Sequence, residues 1–392
     1  MKPGAFLSNA QQSRRMDIDA HRATSHISID AYVKGRQIEL GCSLDGRIPI
    51  YLDQNFWIYL RKAEEGLGTE AEKKLLRLLR ELTRSGVAFF PISETVFMEL
   101  MKQDDIRTRL STAQIIDELS LGVSLIPYDL RAGTELAHFV HSFLVKPSEL
   151  HPLRHLVWTK LSYVLGFVHP SNTPFDAETE LAIQKSFLDE IWSIPLADFM
   201  KKIGSMKSPG DGFANWAETT NEEIVKHADE LRSFQRAYET ELRGAVSSFG
   251  DRLMNIERRN AEKQNVQFPP TGSNAWNELR NMWMNALLHA LKQESARKVL
   301  PSIHVGAALH AAFRWDKTRR FEGNDLYDFF HASAALAFCG AFFTEQALCS
   351  TITNNHIRLD KLYNCYVVAN VSGAIAYLDA IKSAMVDPPT AR

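Results

Sequence analysis

Cysteine is scarce in this chain, and its few copies are far apart. Of 392 residues four are cysteine (Cys42, Cys339, Cys349 and Cys365), and no Cys-x-x-Cys pair occurs. That spacing argues against a zinc ribbon or a thioredoxin-like redox site and fits buried thiols in a reducing, cytoplasmic setting. Net charge is almost absent: the formal value is −2. The chain as a whole therefore has no electrostatic drive toward nucleic acid or an anionic surface, although a local basic patch remains compatible with that balance. No apolar run approaches the length of a membrane span, so no membrane association is expected. Arg14 and Arg15 are followed by no apolar region, so the first residues do not read as a secretory signal. Also missing are a Gly-x(4)-Gly-Lys-Ser/Thr phosphate loop, a His-Glu-x-x-His zinc motif and a Gly-x-Ser-x-Gly nucleophile elbow.

What is present is an ordinary globular composition, 45% apolar and 23% charged. That length and that apolar content sustain a large core without disulfides. Residues 1–25 are polar and basic and read as a loosely held arm. Residues 26–40 alternate around Lys34-Gly35-Arg36, which predicts a hairpin. From 48 to 126 the pattern runs strand, helix, helix, strand, helix, helix, strand. The predicted strands are 48–52, 87–92 and 123–126, and the amphipathic helix 69–84 carries Leu75, Leu76, Leu78, Leu79 and Leu82. Such alternation predicts a parallel sheet with helices on its faces. From 131 to 300 helical periodicity dominates, in segments 131–145, 152–167, 177–202, 219–263 and 274–298, with almost no strand signal. Alternation returns at 301, with a helix over 325–339 and strands at 341–344 and 366–369. The sequence therefore predicts an arm and hairpin over 1–45, the first half of an α/β domain over 46–145, a helical insertion over 146–300 and the second half over 301–392. An independent helical domain is the alternative, but no low-complexity linker marks its edges.

The acids fall where such a fold binds ligands. Asp53 ends the first strand, at the edge where open α/β sheets place their sites. Glu99 follows the second strand, with Glu94 one turn earlier, and Asp325 and Asp328 share a helix face at i and i+3, a line that His331 continues. Converging carboxylates repel one another and persist where cations compensate them; hard oxygen ligands suit Mg²⁺ or Mn²⁺. Each acid also has a plain structural role open to it. Asp53 suits a helix N-cap, Glu99 a solvated helix face, and Asp325 and Asp328 a first helical turn that favours negative charge. Lys317, Arg319 and Arg320 precede Asp325, while Lys102, Arg107 and Arg109 follow Glu99; either set suits phosphate or an ordinary solvated connector. The histidine pairs His138/His141 and His151/His155 are spaced to share a helix face, with packing as the default role. Trp276, Met282, Trp283 and Met284 read as core.

In their order, four stretches resemble the PIN-like nuclease superfamily: Ile50-Tyr51-Leu52-Asp53-Gln54-Asn55, Pro91-Ile92-Ser93 through Glu99-Leu100, Asn324-Asp325-Leu326-Tyr327-Asp328-Phe329-Phe330-His331-Ala332, and Ala341-Phe342-Phe343-Thr344-Glu345-Gln346. The resemblance covers about residues 46–145 and 300–370 and leaves the helical middle unmatched. It implies an α/β fold with a central parallel sheet flanked by helices and interrupted by an all-helical insertion. It implies a metal-dependent nuclease, most often a ribonuclease using Mg²⁺ or Mn²⁺, of a kind found among toxin and phage-defence effectors. By resemblance Asp53, Glu99 and Asp328 are the metal-holding catalytic acids and Asp325 an extra one, with RNA as partner and the helical insertion as a surface for substrate or a protein partner. One departure stands out. The family's last acid follows Thr-x, and here that position is Gln346, which points to the alternative of an impaired scaffold that binds nucleic acid or protein. A second resemblance is slighter: Arg131 and His138 are similar to the Arg-x(4–6)-His of helical HEPN-type ribonucleases, with Ala132 in place of that family's polar residue.

Overall fold

A computed structural model of the protein describes residues 18–143, 146–204, 212–226, 233–316 and 319–386. The fold is mixed α/β and mostly helical, with a small parallel sheet. Its described residues divide into two compact units, each assembled from separate stretches. The first takes residues from 18–47, 57–127 and 154–204, and the second from 48–56, 128–153 and 212–386.

In the first unit, the helix Glu70–Arg84 buries the predicted leucine stripe. Thr69 and Glu72 close a reciprocal capping box at its start, and Gly86, at φ +76°, turns the chain at its end. The strand β2 (Ala88–Phe89, in the numbering where β1 is Ile48–Leu52) precedes the helix Glu94–Met101, capped by Ser93. The helix Ile106–Ser120, capped by Asp105, then leads into β3 (Val123–Leu125). The predicted order of strands and helices over 48–126 is the observed order. Pairing departs from expectation, however. β3 meets the backbone of Ile92 by a parallel bridge at Ser124, but its full partner is an antiparallel strand, β4 (Trp158–Lys160), inside a stretch expected to be helical. Three apolar or β-branched residues, Val157, Trp158 and Thr159, all buried, are too short a run to reveal a period.

The hairpin predicted over 26–40 is not there; residues Ile29–Ser43 form one helix. Ser28 accepts a hydrogen bond from the Ala31 amide at its start, and Gln37, Leu40 and Gly41 line its buried side at helical spacing. Gly41 belongs to packing rather than to a turn, since a Cβ there would lie 2.5 Å from the His155 backbone. Of the predicted arm, residues 1–17 lie outside the described residues, and Ile18–Arg22 are helical.

The second unit holds the sheet that matters for the acids. β1 lies beside β5 (Ala341–Phe343), and β5 beside β6 (Tyr366–Val368), all parallel. Leu52 is in register with Phe343, and Phe343 with Val368. All three residues of β5 are buried, as expected for a parallel strand covered on both faces. Helix Gly323–Phe338 feeds β5 and buries Tyr327, Phe329, His331 and a run of small residues. The remaining helices of the unit include Tyr128–His141, Phe234–Ser248, Asn274–Ala290 and Pro301–Trp315. Helix Asn274–Ala290 corrects one expectation. Leu287 is its one buried residue among those described, while Trp276, Trp283 and Met284 are half-buried and Met282 is exposed.

Candidate functional site

β1 and β5 end side by side; Asp53 follows β1 directly, and Glu345 follows β5 after Thr344. The Asp53 amide continues the ladder by donating to the Phe343 carbonyl at 3.0 Å, so the two strand ends are fixed against each other. Asp53 is 6% exposed. Its Oδ1 accepts the amides of Asn55 (3.0 Å) and Phe56 (3.2 Å), the N-cap role open to it from sequence. After β5 come Thr344, buried, and Glu345, exposed at the start of helix Gln346–Thr353.

Helix Gly323–Phe338 brings in the other two acids. Asp325 is buried and fully engaged: Oδ1 accepts from the Arg319 guanidinium at 2.8 Å, and Oδ2 from the Glu322 amide at 2.7 Å, closing a capping box. Asp328, one turn on, accepts no hydrogen bond from the described residues. Its pKa is pushed up to about 8, first by burial, then by the negative charge of Glu345 and, more weakly, of Asp325 and Asp53; His331 pulls the other way. His331 is itself held, with Nδ1 2.9 Å from the Tyr51 hydroxyl. Three of the four predicted acids, Asp53, Asp325 and Asp328, thus belong to the second unit and act on one another. Glu99 belongs to the first unit, half-buried on helix Glu94–Met101.

Sequence reasoning left the corner after β5 open, and the structure fills it. Gln346 faces along its own helix, its amide donating to Ser350 Oγ at 3.0 Å. Glu345 is the residue whose charge acts most on Asp328. An acid, Glu345, thus stands one position earlier than the Thr-x-acid pattern puts one. Thr344 is the last buried residue after β5, and the exposed helix start falls on Glu345.

The residues suit a divalent cation in kind. They are hard oxygen donors, and burial leaves polar groups unmet at the same strand ends: Thr344 Oγ1 and both amide atoms of Gln54 are buried without a hydrogen-bond partner among the described residues. No group of three or more His, Cys, Asp or Glu side chains among the described residues is drawn together closely enough to hold an ion as it stands.

The basic candidates divide. Arg319 pairs with Asp325 and lies flat on Phe313, 3.5 Å from the ring centre. Arg320 is exposed, and Lys317 lies outside the described residues. Arg109 is spoken for within the first unit: it is buried and donates to the carbonyls of Gln103 and Gly204. The histidines of the two pairs meet separate protein groups. His138 meets the His151 carbonyl (3.1 Å), His141 the Asn260 side chain (3.2 Å), and His155 Asp45 (3.0 Å) and Cys42 (3.6 Å). Arg131, of the second resemblance, is fully buried beside Glu135.

No family model, no curated protein and no solved structure matches the chain. Among the described residues, no helix is long and apolar enough to cross a membrane.

Proposed function

We propose that this chain is a metal-dependent nuclease, most consistent with a ribonuclease of the PIN-like kind. The observation that carries the reading is Asp328: a carboxylate without a hydrogen bond, pushed up to about 8 by burial and by the charges of Glu345, Asp325 and Asp53. A fold gains nothing in stability from assembling like charges, and such pairs recur where a cation or a proton is handled. Asp53, Asp328 and Glu345 would hold Mg²⁺ or Mn²⁺, whose chemistry there is to activate a water and to offset charge on a phosphodiester. That Glu99 joins them rests on the sequence resemblance alone.

The chain's own groups have distinct parts in this reading. Asp53 is fixed by its helix cap, which sets one oxygen and the strand end in place. Asp325 keeps Arg319 beside the acids, where a guanidinium can meet a phosphate. Tyr51 orients His331 from below, through the sheet's first strand. A cytoplasmic setting and a role in toxin or phage-defence systems belong to the same proposal.

A second reading has its own observation. No three-acid group stands assembled among the described residues, and Gln346 replaces an expected acid. A PIN-like scaffold that binds nucleic acid or a protein through its helical part, without cutting, would look the same. One assay separates the two. Single-stranded RNA is incubated with the purified protein and Mn²⁺, with and without chelator, beside the Asp53→Ala/Asp328→Ala double variant. The nuclease reading expects cleavage by the wild type that chelation or the double substitution removes. Equal cleavage by both proteins sinks it, and a clean absence of cleavage across structured and unstructured RNA favours the scaffold.

A further inference from the structure

The second unit contains a cavity of about 590 Å³, within the range of small-molecule sites. Its walls are flat rings. Trp315 and His356 meet edge to face with centres 4.9 Å apart, and Phe234 packs against both at 6.1 Å. The floor includes Phe313, under the Arg319 guanidinium. The lining also carries hydrogen-bonding groups, Asp316 and Asn354. His356 and Asn354 are exposed and Trp315 is half-buried, so the rings line an open mouth instead of filling a core. Segment geometry keeps them there: the Asn354 side chain accepts the His356 amide at 3.0 Å and fixes the turn after helix Gln346–Thr353.

A ligand matching this lining is flat and aromatic, carries donors and acceptors on its edge, and is anionic at one end. That combination describes a nucleotide. Stacking accepts any base, because every base has a π-face, and the polar edge groups then bias the choice. Arg319 supplies the link to the acids. One guanidinium lies on the cavity's Phe313 and at the same time pairs with Asp325, three residues before Asp328. We propose that this cavity seats one base of a single-stranded RNA substrate, with Arg319 on its phosphate side. The base site stands on the cavity's chemistry; its assignment to a substrate strand rests on the nuclease reading.

The test uses 2-aminopurine, whose fluorescence is quenched by stacking, in chelator so that no cutting intervenes. Two probes are titrated into the full chain: 2-aminopurine riboside 5′-monophosphate, and a short single-stranded oligoribonucleotide with one internal 2-aminopurine. Quenching by the wild type is expected, with the oligoribonucleotide bound more tightly. Trp315→Ala should weaken it by roughly five- to a hundredfold, the range for loss of one stacking partner, while Trp315→Phe largely restores it. Because Trp315→Ala can disturb the ring cluster, a second variant fills the mouth instead. Ser350 lines the cavity and is exposed, so Ser350→Trp should fold with an unchanged melting temperature and lose binding. Absence of quenching with both probes overturns the proposal, as does quenching unchanged in Ser350→Trp. Binding of the monophosphate with none of the strand overturns the substrate assignment. Quenching that is lost in Ser350→Trp, from a protein that cuts no RNA in Mn²⁺, upholds the base site and removes the nuclease reading.

Discussion

Glu135 and Asp328 are two carboxylates of the second unit, and burial pushes both up, to about 7 and about 8. Their surroundings differ in kind. Glu135 lies on helix Tyr128–His141, wholly buried, and both of its oxygens are met: the Ser302 hydroxyl donates at 2.7 Å and the Ser302 amide at 2.9 Å, at the start of helix Pro301–Trp315. Arg131, one turn away on the same helix, adds a favourable charge. Asp328 has burial without a hydrogen bond, and most of its charged neighbours have its own sign. One environment was built around the carboxylate, to cap a helix and neutralise an arginine. The other gathers acids that destabilise one another. A perturbed pKa alone would rank these residues together; the partners separate a structural group from a candidate functional one.

The comparison breaks most sharply on paired substitutions. Asp328→Asn should take RNA cleavage to the chelated background while raising stability at neutral pH by about 1–3 kcal/mol, since it removes a buried group that resists ionising. Glu135→Ala should do the reverse in stability, costing about 1–3 kcal/mol by leaving the buried Ser302 amide and hydroxyl without their acceptor. Denaturant midpoints for the two variants, measured at one pH, test the contrast. Equal destabilisation would mean that Asp328 is an ordinary structural acid.

A second effect, with a definite sign, is the dependence on pH. Both groups have folded pKa values above their unfolded ones. The unfolded chain therefore ionises them first as pH rises, and the stability present below about pH 4 declines through the window. For Asp328 the decline runs from near 4 to about 8, and for Glu135 from about 4.5 to about 7, each at most about 1.4 kcal/mol per pH unit. Asp328→Asn should remove the part of the decline between 7 and 8, and Glu135→Gln should leave that part in place. Mn²⁺ should raise the wild type's melting temperature at pH 8, where about half of Asp328 is ionised, and leave that of Asp328→Asn unchanged. Thermal unfolding against pH, with and without Mn²⁺, reads both effects.

Much of the frame was legible before any coordinates. The leucine stripe of 69–84, the order of elements over 48–126, the buried strand at 341–343 and the strand at 366–368 all follow from apolar pattern. Asp53 and the Asp325/Asp328 pair were legible because a strand end and an i, i+3 spacing are local facts. What pattern could not give was pairing between distant segments. Nothing local says that Val123–Leu125 pairs with Trp158–Lys160, or that Ser302 answers Glu135 across 167 residues. Over Ile29–Ser43 the Lys34-Gly35-Arg36 punctuation has the look of a turn, while the cap at Ser28 marks the helix that forms. The division into two units from interleaved stretches is likewise a property of long-range contacts.

The smallest expected effect sharpens the comparison most, because it concerns the one residue that sequence alone left undecided. If Glu345 is the fourth acid, Glu345→Gln should bring the Asp328 titration down toward the usual carboxylate range, since it removes the largest of the charges raising it, and should lower cleavage about tenfold. Gln346→Ala, at the position where the resembled family has its acid, should leave cleavage within about twofold, because the Gln346 amide serves Ser350 on its own helix. The Asp328 carboxyl signal followed by NMR against pH gives the first result, and initial rates give the second. A large loss with Gln346→Ala and none with Glu345→Gln would move the site one residue along the chain. The environment of Asp328 would then owe its character to burial alone, as that of Glu135 largely does, and the contrast between the two carboxylates would rest only on their hydrogen bonds.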